Sequence, residues 1–122
     1  MSNLLTGTMV DAHNPDWEPL NTMATDDIRD TFMWMYAVEL SDGRRLQAYK
    51  HYATRRYVHL DAERRAWAYT RSGHYMRVDI ADALEQALAP WWERGLGATA
   101  ADIAASRALI ASLRTRRQTA WA

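Results

Sequence analysis

"MWMYAVELSDGRRLQAYKHYATRRYVHLD", residues 33–61, decides the fold. It opens with a run rich in aromatic and branched side chains, which favours a strand. "SDG" (41–43) then supplies a three-residue loop with Gly43 for a left-handed position, and the chain turns back. The register set by that loop pairs Tyr36 with Ala48, Val38 with Leu46 and Glu39 with Arg45. Apolar residues meet apolar ones and opposite charges meet, so pattern and turn agree. A second tight loop at Tyr52, Ala53 and Thr54 predicts a third strand over 55–61. In that register Tyr49 faces Tyr57, Gln47 faces His59 and His51 faces Arg55. Val58 and Leu60 then join Tyr36, Val38, Leu46 and Ala48 on an aliphatic face.

The same alternation continues outward. "RAWAYTR" (65–71) reads as a fourth strand after "DAER", and "HYMRVDI" (74–80) as a fifth after "SG". The period then changes to helical. In "ADALEQALAPWWERG" (81–95), Leu84, Leu88 and Trp91 form one stripe, with Asp79 or the residues just after it as cap. Pro90 is expected to interrupt this helix, and Gly95 or Gly97 to end it. "TAADIAASRALIASLRTRRQ" (99–118) is a second helix, with capping-box spacing at Thr99 and Asp102 and a stripe of Ile103, Ile110 and Leu113 beside Leu109. Upstream, residues 1–24 show no period and are broken by Pro15 and Pro19. They predict an irregular acidic arm docked by Leu4, Leu5, Val10, Trp17 and Leu20. "TDDIRDTF" (25–32) suits one or two helical turns capped by Thr25. The expected fold is α+β: an antiparallel β-meander of four to five strands over about 33–80, then two C-terminal helices over 81–118. At 122 residues the chain is expected to be a single domain.

Composition excludes several classes of chemistry. There is no Cys, so thiol catalysis, disulfides and cysteine-ligated metal or iron–sulfur centres are out. The longest apolar run, "FMWMYAV" (32–38), is too short to cross a membrane as a helix. The beginning, "MSNLLTGTMVD", lacks a basic n-region and does not read as a signal peptide, so a cytoplasmic setting is expected. Six Trp and six Tyr stand against one Phe, an excess that suits cores and binding surfaces alike.

Net charge is zero, but the charges are segregated. Residues 1–30 carry Asp11, Asp16, Glu18, Asp26, Asp27 and Asp30 against Arg29. The stretch between Asp42 and Asp61 carries Arg44, Arg45, Lys50, Arg55 and Arg56 and no acid. Either that stretch meets an anion or nucleic acid, or the acidic arm folds over it. On the expected register one face displays Arg45, Tyr49, His51, Arg55, Tyr57 and His59. Rings for stacking beside cations for phosphate are what a sheet uses to hold single strands. The plainer explanation is the solvated side of a half-buried sheet, and no RNA-binding signature is present.

Asp11, His13 and Asp16 in "DAHNPDW" are metal-capable donors, yet Asn-Pro-Asp is ordinary turn chemistry, and no metal or cofactor is expected. Trp91 and Trp92 point about 100° apart on a helix, so one suits the core. The other, or Trp121, could mark a homo-oligomer contact.

The reading favoured is a small non-catalytic binding module. It uses the basic, aromatic sheet face to contact an acidic protein surface or a small anionic ligand. A nucleic-acid-binding protein using that face and the C-terminal arginines is the alternative. From another class, a small enzyme would use His51 or His59 as base, but no nucleophile elbow, P-loop or dinucleotide-binding turn accompanies them.

Overall fold

The computed structural model describes the backbone of residues 4–121 and the side chains of residues 4–116. Six antiparallel strands follow one another in sheet order as in sequence: β1 (Gly7–Asp11), β2 (Phe32–Leu40), β3 (Arg45–His51), β4 (Tyr57–Asp61), β5 (Ala66–Tyr69) and β6 (Tyr75–Val78). Two one-turn helices, α1 (Glu18–Asn21) and α2 (Asp26–Arg29), lie between β1 and β2. The helices α3 (Ile80–Glu93) and α4 (Ala100–Trp121) follow the sheet. The class is α+β, with one strand more than the sequence indicates.

That extra strand is β1, inside the stretch read as an irregular arm. Gly7, Thr8 and Met9 pair with Leu40, Glu39 and Val38. Just upstream, Leu5 exchanges two backbone hydrogen bonds with Tyr75 on β6, at 2.9 and 2.7 Å. The first strand therefore touches the last, and the meander curls towards a barrel. Gly7 permits the close approach: a Cβ there would stand 2.7 Å from Val38 Cγ1 and 2.9 Å from Tyr75 Cε2.

The β2–β3 hairpin has the expected register, with Tyr36 opposite Ala48, Val38 opposite Leu46 and Glu39 opposite Arg45. Gly43 closes it with φ +89°. Glu39 and Arg45 are neighbours across the ladder but form no ion pair. A bulge at Met35 adds one residue to β2 and changes the face that the strand presents. Phe32 and Trp34 face the helices, whereas Tyr36 and Val38 face the inside of the curl.

The β3–β4 register differs from expectation by one residue. Tyr49 pairs with Val58 rather than Tyr57, Gln47 with Leu60, and Ala48 with His59. The loop is longer by one residue, because Arg55 takes the left-handed conformation at φ 63° and donates its N–H to the His51 carbonyl. A slip of one exchanges faces. Val58 and Leu60 join Tyr49 against the helices, and Tyr57 and His59 join the inner face.

Two cores result. The larger lies between the sheet's outer face and the helices and includes Leu20, Ile28, Tyr49, Leu60, Leu84 and Trp91. The smaller fills the curl with Val38, Leu40, Leu46, Trp67 and Tyr75. Asp61 is fully buried beside it and accepts from the backbone N–H of Glu63 and Arg65, the indole of Trp67 and the guanidinium of Arg44. Those donors meet the requirement that a buried carboxylate be hydrogen-bonded.

The helix signals hold with two corrections, the first being that Thr25 stands at the N-cap of α2 but its side chain makes no capping hydrogen bond. Asp79 caps α3 by accepting from Asp82 N–H, and Thr99 and Asp102 form the reciprocal capping box of α4 at 3.0 and 2.8 Å. Pro90 does not interrupt α3, which runs on to Glu93. Only one donor is lost there, and Trp91 stays anchored in the core. On α4, Ile110 and Leu113 are buried while Ile103 and Leu109 are half-buried. Among the described residues, no helix is long and apolar enough to cross a membrane.

Candidate functional site

The six residues singled out in the sequence do not share one surface. Arg45, Tyr49 and His51 lie on the outer face of β3, but Tyr49 and His51 are fully buried beneath the helices. Tyr49 donates its hydroxyl to the Asp16 carbonyl at 2.6 Å and packs on Trp17, so the acidic arm docks through a ring and a backbone carbonyl. Its carboxylates go elsewhere. Asp11 accepts from His13 and Asn14 in a tight turn, Asp16 from Glu18 N–H, and Asp26 and Asp30 pair with Arg29. None of them reaches Arg45, Lys50, Arg55 or Arg56. Arg55 is exposed in its loop. Among the described residues no three His, Asp or Glu side chains gather as a metal site.

His51 sits among Phe32, Tyr52 and Trp91, with ring centroids 4.6–5.2 Å apart. Its Nδ1 accepts from the backbone N–H groups of Ala53 and Thr54, both at 3.2 Å, so it organises the loop. Its Nε2 has no partner. Burial pushes this imidazole down to about 4, with Asp102 pulling weakly the other way.

The remaining two residues, Tyr57 and His59, stand at a different feature. β4 and β5 pair at only two positions, His59 with Trp67 and Leu60 with Ala66. Beyond them the ladder stops, and Tyr57 and Val58 part from Ala68 and Tyr69. A cavity of about 700 Å³ occupies the gap, reaching from the inside of the curl to Ala83, Gln86 and Ala87 on α3. Six aromatic side chains line it: Tyr36, Tyr57, His59, Trp67, Tyr69 and Tyr75. Tyr57 and His59 stack at 16°, Tyr75 meets His59 edge-on at 5.5 Å, and Tyr69 lies 4.9 Å from Tyr75.

Electrostatics set the cavity's character. Burial pushes His59 down to about 4, and its Nε2 finds no hydrogen-bond partner. Burial, reinforced by Tyr75, Tyr57 and Tyr69, pushes Tyr36 up to about 12. Burial and Tyr69 raise Tyr75 as well. Both shifts hold the Tyr36 and Tyr75 phenols in their un-ionised form near neutral pH. Among the described residues, the charged side chains in the lining are Arg56 and Asp82, both exposed.

The chain matches no protein family, no curated protein and no solved structure.

Sequence reading named two of the cavity's six rings. The sequence pattern places Tyr36 on an aliphatic face, and Trp67, Tyr69 and Tyr75 only in strands. Their convergence depends on the contact of Leu5 with Tyr75 and on the parting of β4 from β5, neither of which has a local signature. The two adjacent tryptophans divide as their helical spacing predicts. Trp91 is buried, while Trp92 is half-buried under the Arg107 guanidinium at 5.5 Å. The side chains of Arg117 and Trp121 lie outside the described residues.

Proposed function

We propose that this chain is a non-catalytic binding module for a small ligand held in the aromatic cavity between β4, β5 and α3. One observation carries the reading: six rings surround a space of about 700 Å³ that no side chain fills. Sites for small molecules are concave, mostly apolar and of this size, with a few convergent polar groups. The phenol hydroxyls and the unpartnered imidazole of His59 are such groups.

Two other functions find less support. A general base needs a polar group to orient it. His59 has no hydrogen-bonding partner to do so, and His51 spends Nδ1 on its own loop. A nucleic-acid track needs cations in line along exposed rings. Here Arg44 goes to Asp61, Lys50 lies over Tyr57, and Tyr49 is buried.

The test uses a neutral aromatic probe, naphthamide, titrated by calorimetry. Saturable binding at one site is expected for the natural chain, and its loss in Ala68→Phe, which places a ring in the gap. Ala83→Leu narrows the cavity from the α3 side and should weaken binding in the same direction. A folded natural chain that binds no probe, or variants that bind it equally well, would overturn the reading.

A further inference from the structure

We infer that the ligand is a planar aromatic carboxylate, its ring among Tyr36, Tyr57, Tyr69 and Tyr75 and its anionic group at Arg56. This rests on the cavity being a ligand site and adds the chemistry of what enters it.

The walls select the body of the ligand. Flat rings at centroid spacings of 4.9–6.5 Å leave faces and edges for offset or edge-on contact with another ring. Trp67 is already committed. Its indole N–H goes to Asp61, and the guanidinium carbons of Arg44 and Arg77 lie 5.3 and 5.7 Å from its ring centre. It acts as a fixed wall, and Tyr36, Tyr69 and Tyr75 present the freer surface.

The rim selects the charge. Asp82 is held by Arg114 at 3.1 Å, and Glu85 shares that guanidinium at 3.3 Å. Arg56 has no ion pair, side-chain hydrogen bond or ring partner among the described residues. The uncommitted charge at the opening is therefore positive. A cluster of tyrosines could otherwise suit a quaternary ammonium. Here a cation would meet Arg56 at the rim and Lys50, whose Nζ already lies 5.6 Å from the Tyr57 ring.

Donors complete the site. The hydroxyls of Tyr36, Tyr57, Tyr69 and Tyr75 make no hydrogen bond with the protein. Burial and proximity keep Tyr36 and Tyr75 protonated, so their O–H groups remain donors. One guanidinium with nearby phenols can satisfy a carboxylate's two oxygens. A more highly charged anion would leave oxygens desolvated and unpaired.

Calorimetric titration of naphthoate, naphthamide and trimethylanilinium separates the outcomes. In the natural chain naphthoate is expected to bind about tenfold more tightly than naphthamide, as an added hydrogen bond to a charged group allows. Arg56→Gln should bring the two within about threefold of each other. Arg55→Gln removes a neighbouring cation that does not line the cavity and should leave the preference intact. Naphthoate and naphthamide binding equally, a preference that survives Arg56→Gln, or trimethylanilinium binding most tightly would overturn the carboxylate assignment while the cavity remains a ligand site. Neither naphthalene binding the folded natural chain, or both binding Ala68→Phe unchanged, would remove the site itself.

Discussion

Gly7 occupies a position where only hydrogen fits. An added Cβ would come within 2.7 Å of Val38 Cγ1 and 2.9 Å of the Tyr75 ring. Both neighbours are buried in the smaller core and cannot swing away without cost. Gly7→Ala is therefore expected to destabilise by about 1–3 kcal/mol, the usual range for overpacking, measured by denaturant unfolding. An unchanged midpoint would show that the curl is looser there than its contacts imply. Asp61 is the converse case, a side chain whose removal leaves others stranded. Its two oxygens hold the turn into β5 through Glu63 and Arg65 and fix Trp67 through its indole N–H at 3.1 Å. Asp61→Ala strands the buried Trp67 indole N–H and the part-buried amides of Glu63 and Arg65, and leaves Arg44 with Asp42 alone at 3.7 Å, so a loss of roughly 3 kcal/mol is expected. Asp61→Asn keeps the shape and should recover part of that loss, with Trp67 fluorescence reporting whether the indole stays in place.

Loops fix which side chains a strand shows to each face, and the two central hairpins do so with different residues. The β2–β3 loop carries Gly43 at φ +89°, a glycine that marks the turn in the sequence and makes its length readable. The β3–β4 loop puts Arg55 at φ 63°, where no glycine signals an extra residue. The register there was legible to within one position, and that one position moves Tyr57 and His59 to the inner face. Replacing Arg55 with glycine relieves a strained backbone and is expected to raise stability by up to about 1 kcal/mol; Arg55→Val should lower it by about 1–2 kcal/mol. Equal stability of the two variants would mean that the loop does not hold that conformation. β1 was illegible for another reason. Met9 and Val10 are exposed at 61% and 43%, so no alternation betrays a strand that is held by backbone pairing. The helices, by contrast, carry their caps and stripes openly. Ile110, buried on α4 against the larger core, should cost about 2–4 kcal/mol when cut to Ala. A smaller loss in chemical unfolding would place α4 outside the core.

Across the whole molecule the two cores share one electrostatic liability: each borders a buried imidazole that folding keeps neutral. His51 lies under the helices and His59 inside the curl, and burial lowers both from 6.5 to about 4. Between those values the unfolded chain binds protons at both rings that the folded chain refuses. Stability must then rise with pH across this window. The contribution is fully present above about pH 6.5 and is lost progressively as pH falls towards 4. A shift of this size corresponds to roughly 3 kcal/mol per imidazole as an order of magnitude. Asp11 works in a different range. Its carboxyl is held below 3.8 by the His13 N–H and the Asn14 side chain, so its contribution is lost only at still lower pH. Asp102 favours protonated His51 and softens that ring's share. Urea midpoints for the natural chain are therefore expected to fall steeply between pH 6.5 and 4.5. His51→Phe and His59→Phe, each keeping a ring in place, should flatten the curve by separate increments, because the two sites share no partner. A natural chain whose midpoint is level across that window, or a double variant as steep as the natural chain, would show that neither imidazole is kept neutral by the fold.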